Sequence, residues 1–254
     1  MLKRAKRGYA PPVKPLVAVP PFFGRSLEVE KDCTLSLETI LFGDFDRYLP
    51  QLIVGLSSLG YSGLGSLRPY GFNRFDVESG VCAFSGRAIL REGVLYPGSL
   101  QSIGVSDIQP IESAQVSVGF RTPFTGSVFP PNLDELIELT RRRLIGFVNE
   151  YGDGANVPAF SCKGEIARSS VHYHKLERRS TRSEKKFFKG YTGLVDYKIE
   201  EADAVSRWLL GVAFVLGCGP DSSFGCGFLQ DLTKPKQGTT PRNNGTKEVQ
   251  LRGP

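Results

Sequence analysis

The chain has 254 residues but no apolar run long enough to cross a membrane. A membrane helix needs roughly 18 consecutive apolar residues. The first 21 residues are basic, but five prolines interrupt them, which excludes the apolar core of a signal peptide. We therefore expect a soluble, cytoplasmic protein with no membrane partner.

Cysteine is scarce and irregularly spaced. An odd number of cysteines without framework spacing indicates reduced thiols in a cytoplasm. The sequence predicts no metal site and no other cofactor, and Cys218 and Cys226 are interpreted as small packing residues. The five cysteines form no C-x-x-C pair: Cys33, Cys82, Cys162, Cys218 and Cys226.

Histidine is rarer still, since His172 and His174 are the only two. Two residues apart on a predicted strand, they share one face, with Tyr173 on the other. Imidazole has an unperturbed pKa of about 6.5, so either histidine is a candidate catalytic acid or base. Two histidines alone make a poor metal site, because structural zinc takes four ligands. The alternative is a surface pair, or one that only contacts a ligand, without chemistry.

Nearly all of the net charge of +6 lies in one segment, residues 175–189. Seven basic residues against two acidic ones give this segment a net charge of +5. A concentrated basic segment indicates a polyanion-binding surface, and the alternative is a solvated charged hairpin. Arginine can hold a phosphate with two hydrogen bonds. The predicted polyanion-binding residues here are Lys175, Arg178, Arg179, Arg182, Lys185 and Lys186.

A glycine-rich loop spans residues 217–227. Glycines allow sharp turns that leave amide N–H groups uncovered, and a concavity of such groups can bind phosphate. The alternative is a plain helix-to-strand loop whose glycines cap the helix. A similar glycine spacing at Gly63, Gly65 and Gly71 indicates two copies of one structural unit. The loop's predicted phosphate-binding residues are Gly217, Gly219, Gly225 and Gly227.

Apolar periodicity in the second half predicts the element order β-α-β-β-α-β, which is the ferredoxin-like unit. The first half shows only the later part of that order, around a helix that begins near Asp46. We therefore predict an α+β fold of tandem ferredoxin-like (RRM-like) halves, the first incomplete. The predicted elements are strands 35–41, 72–77, 84–90, 94–96, 114–120, 169–178, 187–198 and 228–232, and helices that begin near residues 46, 132 and 201.

Local signals add detail to these elements. Strands 84–90 and 94–96 are predicted to form a hairpin. Pro50 falls in the first turn of its helix, where its missing N–H matters little, and Asn132 with Glu135 approximates a capping box. Trp208 is predicted to face the core, because it fits the helical spacing of the apolar residues.

The predicted domain organisation follows from these elements. It comprises a disordered basic arm (1–14), a partial ferredoxin-like half (15–100), a linker (101–112), a ferredoxin-like half with the glycine loop (113–232) and a disordered tail (233–254).

Three segments resemble the CRISPR repeat-processing endoribonucleases of the RAMP superfamily, in a similarity that covers roughly residues 15–231. One runs from Leu41-Phe42-Gly43 to Gly71-Phe72. The others are Arg179-Ser180-Thr181-Arg182 through Gly190-Tyr191-Thr192-Gly193, and Gly217 to Gly227. The chain departs from the family in one respect: the usual catalytic histidine lies in the first helix of the first half, and that helix has no counterpart here.

The resemblance implies metal-independent cleavage of a CRISPR transcript within its repeats. The neighbouring 2′-hydroxyl would attack the phosphodiester and give a 2′,3′-cyclic phosphate. The implied partners are CRISPR repeat RNA or crRNA and other subunits of an effector complex. The basic residues of 175–186 and the loop glycines named above are then the RNA-binding residues. One alternative is a non-catalytic RAMP-type subunit that binds crRNA as a scaffold. A third reading is a tandem ferredoxin-like regulatory protein that binds a small anion at its glycine loops.

Overall fold

The computed structural model describes residues 13–19, 33–63, 73–152, 154, 156–180 and 183–233, without the side chains of residues 176–188. The predicted arm 1–14 and tail 233–254 lie almost wholly outside these ranges. Two compact units make up the chain: Met1–Ile40 with Gln109–Pro254, and Leu41–Ile108. None of the helices within the described ranges is both long and apolar enough to span a membrane.

A four-stranded antiparallel sheet is the centre of the larger unit. In chain order its elements, with two helices, are β6 (Gln115–Phe124), α2 (Leu133–Tyr151), β7 (Cys162–Ser180), β8 (Ser183–Ala202), α3 (Ala204–Leu216) and β9 (Leu229–Asp231). The spatial order of the strands is β7-β8-β6-β9. This is the ferredoxin-like arrangement, so the predicted fold of the second half is confirmed.

Alternation along β6 separates the core from the opposite face of the sheet. Val116, Val118 and Phe120 are at most 2% exposed, as the period-2 pattern predicts. The buried stripe of α2 also follows its predicted helical spacing. In α3 the predicted inward residue Trp208 is only half-buried. Leu210 is buried instead. The buried face of α3 is therefore rotated about the helix axis relative to the face that the sequence pattern predicts.

Helix capping differs from the prediction. Asn132 occupies the N-cap of α2, but its side chain accepts no capping hydrogen bond, so the predicted capping box with Glu135 is wrong. At α3 the cap is Asp203, whose Oδ1 accepts hydrogen bonds from the N–H and the hydroxyl of Ser206, both at 2.7 Å. Its Oδ2 accepts from the Ser161 N–H at 2.8 Å. Asp203 therefore joins the start of α3 to the residue before β7.

In the smaller unit, a short 3-10 helix (Gly43–Tyr48) leads into α1 (Leu49–Ser62), with Pro50 in the first turn as predicted. Three antiparallel strands follow: β3 (Ser79–Val81), β4 (Ala88–Arg91) and β5 (Val94–Leu95). The hairpin prediction is confirmed by the β4–β5 pair. The strand predicted at 72–77 is wrong where the structure describes it. There the Phe75 N–H bonds the end of α1, at the Gly60 carbonyl, instead of a neighbouring strand.

The described residues 13–19 and 33–40 belong to the same unit as the second half of the chain, whereas the predicted domains group them with the first half. Strand β1 (Leu16–Val19) pairs with β2 (Glu38–Leu41), and Val17 and Val19 are 1% exposed. Lys14 Nζ lies 4.0 Å from the centre of the Phe224 ring. The start of the described chain therefore packs against the second glycine loop, while the first loop, residues 64–72, lies outside the described residues.

Candidate nucleic-acid interface

The β7–β8 hairpin extends beyond the rest of its sheet. Pairing of β8 with β6 ends at Tyr191 opposite Phe124, whereas pairing with β7 continues to Ser180 opposite Ser183. The predicted basic segment forms this two-stranded extension. Arg182, and the side chains of Arg178, Arg179, Lys185 and Lys186, lie outside the described parts of the structure, so their contacts with RNA stay predictions.

Like charges stand opposite each other along the extension. Lys175 pairs with Lys189, and both side chains are exposed. Three residues further along, Arg178 is in register with Lys186. Directly opposed like charges destabilise a strand pair, so a bound polyanion would relieve this repulsion. The cross-strand register thus favours the polyanion interpretation over a hairpin that is merely solvated.

Gly190-Tyr191-Thr192-Gly193 lies at the base of the extension, where three strands approach closely. A Cβ on Gly193, which has φ +144°, would overlap the carbonyl oxygen of Ser170, and a Cβ on Gly190 would lie 2.7 Å from the carbonyl oxygen of Phe124. The two glycines therefore allow the close approach. The alternation of the strand then directs Tyr191 and Thr192 to opposite faces.

Both histidines lie on the face that Thr192 occupies. His172 is directly opposite Thr192 in the strand register, and its side chain is exposed. His174 is half-buried, and its Nε2 shares a hydrogen bond of 2.7 Å with Thr192 Oγ1. This bond limits rotation of the His174 imidazole. One histidine is therefore accessible to a ligand, and the second is held in a defined orientation beside it.

Further along this face, towards the centre of the sheet, the polar character continues. Arg168 is opposite Asp196 and is exposed. Asp196 Oδ1 accepts a hydrogen bond of 2.6 Å from Ser117 Oγ on the next strand. The sheet face away from the helices therefore places an imidazole pair, a guanidinium and a carboxylate along two neighbouring strands.

The other face of the hairpin base is aromatic. The Tyr173 and Tyr191 ring centroids are 5.2 Å apart, and Tyr191 stacks on Phe129 at 5.1 Å with an interplanar angle of 8°. Tyr173 nonetheless remains 54% exposed. The strand pattern predicts that Tyr173 points to the face opposite the histidines, but it indicates no role for the ring. The cross-strand pairing with Tyr191, which a single sequence does not reveal, is what makes it notable.

The second glycine loop uses most of its glycine amides internally. The N–H of Gly217 donates to Ala213 O at 2.9 Å, that of Gly225 to Ser222 O at 3.1 Å, and that of Gly227 to Pro123 O at 3.0 Å. These three glycines are buried, whereas Gly219 is half-buried against the Phe124 ring. A phosphate cradle made by all four glycine amides is therefore not formed here. Contact of the loop with RNA stays a prediction, centred on Gly219 and the more exposed residues after it.

The two cysteines of the loop have a packing role, as predicted. Cys218 and Cys226 are each 1% exposed. Burial raises the pKa of each thiol to about 12. A thiol nucleophile needs its thiolate form, so neither cysteine is suited to nucleophilic chemistry at neutral pH.

An arginine lies behind the loop. The Arg143 guanidinium is 5.2 Å from the Phe147 ring centre and 5.9 Å from that of Phe228. Burial lowers the pKa of Arg143 to about 10, so it remains charged at neutral pH. Its Nε and Nη2 atoms are buried and have no hydrogen-bond partner among the described residues. The sequence shows Arg143 only as one of three consecutive arginines in α2.

Within the described ranges, no cluster of three or more His, Cys, Asp or Glu side chains is placed to hold a metal ion.

Comparison with known proteins places the chain in a family. A family model described as a C-terminal domain matches residues 116–231, which is the ferredoxin-like unit from β6 to β9. An uncharacterized protein of Archaeoglobus fulgidus is 39% identical over 228 residues, covering 89% of this chain and 76% of that protein. The chain belongs to the family of this archaeal protein.

Solved structures with a similar fold are Cas6 proteins. A Cas6 product complex, whose protein comes from Thermus thermophilus, has a TM-score of 0.52 at 17% identity and covers 87% of this chain and 84% of that one. A second Cas6 product complex has a TM-score of 0.46 at 18% identity, over 89% and 83% of the two chains. The likeness to the first shows that the chain has a Cas6-like fold.

Proposed function

We propose that this protein binds CRISPR repeat RNA and cleaves it within the repeat. Its fold resembles that of a Cas6 product complex, and a basic hairpin extends from the sheet that makes up the fold. The observation on which the proposal depends most is local. His174 and Thr192 share a 2.7 Å hydrogen bond on the same face of the sheet as the exposed guanidinium of Arg168. Proton-transfer groups and a positive charge therefore share this face, and the basic extension continues from the base of the hairpin.

The proposed chemistry is metal-independent transesterification. The 2′-oxygen attacks the adjacent phosphorus as a base removes its proton, and the bond from phosphorus to the 5′-oxygen breaks as an acid protonates that oxygen. The products are a 2′,3′-cyclic phosphate and a free 5′-hydroxyl. His172 and His174 are the proposed proton-transfer residues, and nearby Lys and Arg side chains would stabilise the charge of the phosphorane.

The two histidines suit different parts of this scheme. His172 is exposed, so a bound phosphodiester can reach its imidazole. His174 has one ring nitrogen bonded to Thr192, which holds its imidazole in a defined orientation for the second proton transfer. The two histidines thus differ in exposure and hydrogen bonding, and either imidazole can be the base or the acid.

A second candidate function is that of a scaffold subunit, which holds the RNA for other subunits of a CRISPR effector complex without cutting it. The observation that favours it is the internal bonding of the Gly217, Gly225 and Gly227 amides. With those donors already used, the loop has fewer N–H groups to stabilise a phosphorane than a preorganised oxyanion site has.

One experiment separates the two functions. The full chain is incubated with end-labelled CRISPR repeat RNA in excess EDTA, and cleavage and retention of the RNA are scored together. The proposal predicts a discrete cut whose upstream product ends in a cyclic phosphate, recognised because phosphatase removes it only after acid opens the ring. Tight retention without cleavage would assign the chain to the scaffold function. Absence of both would overturn the RNA proposal.

A further inference from the structure

The aromatic face of the hairpin base has no part in the proposed chemistry. Tyr173 and Val171 on β7 are 54% and 42% exposed, although aromatic and branched apolar side chains usually pack against other side chains. Val171 is opposite Gly193, which has no side chain to cover it. Exposed apolar surface of this kind, next to charged residues, marks an interaction site more often than an isolated apolar side chain does.

The Tyr173 ring is supported from within the protein. It contacts Tyr191 at 5.2 Å, and Tyr191 in turn stacks nearly parallel on Phe129. Phe129 packs on the buried Phe120 at 4.9 Å. A continuous series of rings therefore connects the core to the exposed Tyr173 ring. Such support lowers the entropy lost when a ligand packs on the ring, because less side-chain motion remains to be frozen.

Cations flank the exposed ring. Lys175 and Lys189 are the next cross-strand pair on the face of the hairpin that carries Tyr173 and Tyr191. Two residues along a strand span about 7 Å. An aromatic ring beside positive charge is the arrangement with which proteins bind single-stranded nucleic acid, because the ring stacks on a base while the cations contact the backbone phosphates.

We infer that Tyr173, supported by Tyr191, is a stacking platform for an unpaired base of single-stranded RNA, with Lys175 and Lys189 on the adjoining phosphates. This inference rests on the proposed function, since it names how the same hairpin would bind RNA. It assigns the two faces of the hairpin base different tasks. The histidine face transfers protons, and the tyrosine face positions an unpaired nucleotide.

Affinity measurements on the full chain test the platform. The probes are a 12-nucleotide oligo(A) RNA, a fully paired RNA hairpin and polyphosphate. Tyr173→Ala should weaken oligo(A) binding by roughly 5- to 150-fold, whereas Tyr173→Phe should retain it. Neither substitution removes a charge, so the dependence of affinity on salt should not change. Binding of the paired hairpin, which offers no unstacked base, should stay within about twofold of wild type.

A matched control and a spectroscopic signal sharpen the test. Tyr96 is 45% exposed in the smaller unit, so Tyr96→Ala removes a similarly exposed ring and should leave oligo(A) binding unchanged. In a Tyr173→Trp variant, oligo(A) should quench the added fluorescence over the background of Trp208, and polyphosphate should not. Thermal unfolding checks that each variant folds. Because Tyr173 is exposed, its substitution should change the unfolding temperature little.

The outcomes separate this inference from the proposed function. RNA binding with a normal salt dependence but no difference between wild type and Tyr173→Ala would overturn the platform alone. Equal quenching by polyphosphate would overturn stacking in favour of simple charge attraction. A loss of self-association in Tyr173→Ala, with unchanged oligo(A) affinity, would assign the ring to a protein contact and also overturn the inference. Failure of the wild-type chain to bind any RNA would overturn the proposed function and the platform together.

Discussion

Gly227 and Cys218 lie backbone to backbone at the base of the second glycine loop. The Cys218 N–H donates to the Gly227 carbonyl at 2.8 Å, and a Cβ on Gly227, which has φ +68°, would overlap the Cys218 carbonyl oxygen. The glycine at this position is therefore required by the closure of the loop, whatever the loop binds.

Gly227→Ala should lower the free energy of unfolding by about 1–3 kcal/mol, because the new side chain combines left-handed strain with a backbone collision. Denaturant unfolding of the full chain measures it. Gly55→Ala is the matched control: Gly55 is exposed within α1 with nothing near its Cβ position. That change should raise stability by about 0.5–1 kcal/mol. Equal effects of the two substitutions would contradict the assigned role of Gly227.

Replacing Arg178 and Arg179 together with Ala should flatten the salt dependence of repeat-RNA binding. Each lost phosphate contact should change the log–log slope by about 0.7, so the pair should change it by about 1.4. Fluorescence anisotropy titrations at several salt concentrations give the slope.

The matched control for this charge removal is Lys163→Ala with Lys198→Ala. These lysines lie at the other end of the same hairpin, in ion pairs with Glu200 at 3.1 Å and Glu165 at 3.0 Å. The control removes the same charge, but its slope should stay close to that of wild type. If the control flattens the slope as much as the arginine variant does, the interface lies elsewhere on the hairpin.

The cap at Asp203 should make stability depend on pH. Hydrogen bonds from the Ser206 hydroxyl, and then from backbone N–H groups, lower the pKa of the Asp203 carboxyl. Because the folded pKa is the lower one, this stabilisation is fully present above the unfolded pKa and is lost as pH falls through the folded pKa. Asp203→Ala should therefore cost about 1 kcal/mol at pH 7, and the cost should shrink in acid.

Urea unfolding of wild type and variant at pH 7 and in acid checks this sign. Asp203→Asn is the control, because an amide can accept one of the capping bonds but does not ionise. Its difference from wild type should be smaller than that of Asp203→Ala at pH 7. A stability difference for Asp203→Ala that grows as pH falls would show that the sign is wrong.

Sequence patterns predicted the second half of the fold well and the site only in part. Alternation along β6 and the helical spacing in α2 both reflect burial, which a single sequence records directly. The prediction of a strand at 72–77 is wrong because an apolar pattern does not show that the Phe75 N–H bonds the Gly60 carbonyl. The stacking of Tyr191 on Phe129 and the Thr192–His174 bond were not predictable either, since each depends on tertiary register between residues far apart in the chain.

Thr192→Val should slow RNA cleavage by roughly 10- to 100-fold, because it removes the hydrogen bond that orients His174 while preserving the branched shape. Thr192→Ser keeps the hydroxyl and should retain most of the activity. Single-turnover rates across pH, with RNA affinity measured in parallel, identify a positioning role. Equal losses in the two variants, or a loss confined to affinity, would contradict it.

The most direct test of the account is the single-turnover cleavage rate of CRISPR repeat RNA in EDTA by wild type and by the double variant His172→Ala with His174→Ala. The wild-type protein should cleave the RNA. The double variant should cleave at least about 10²-fold more slowly, as expected when acid–base groups are removed, and should bind the RNA with an affinity within a few-fold of wild type. A loss of only a few-fold would move proton transfer to other residues and contradict the central claim.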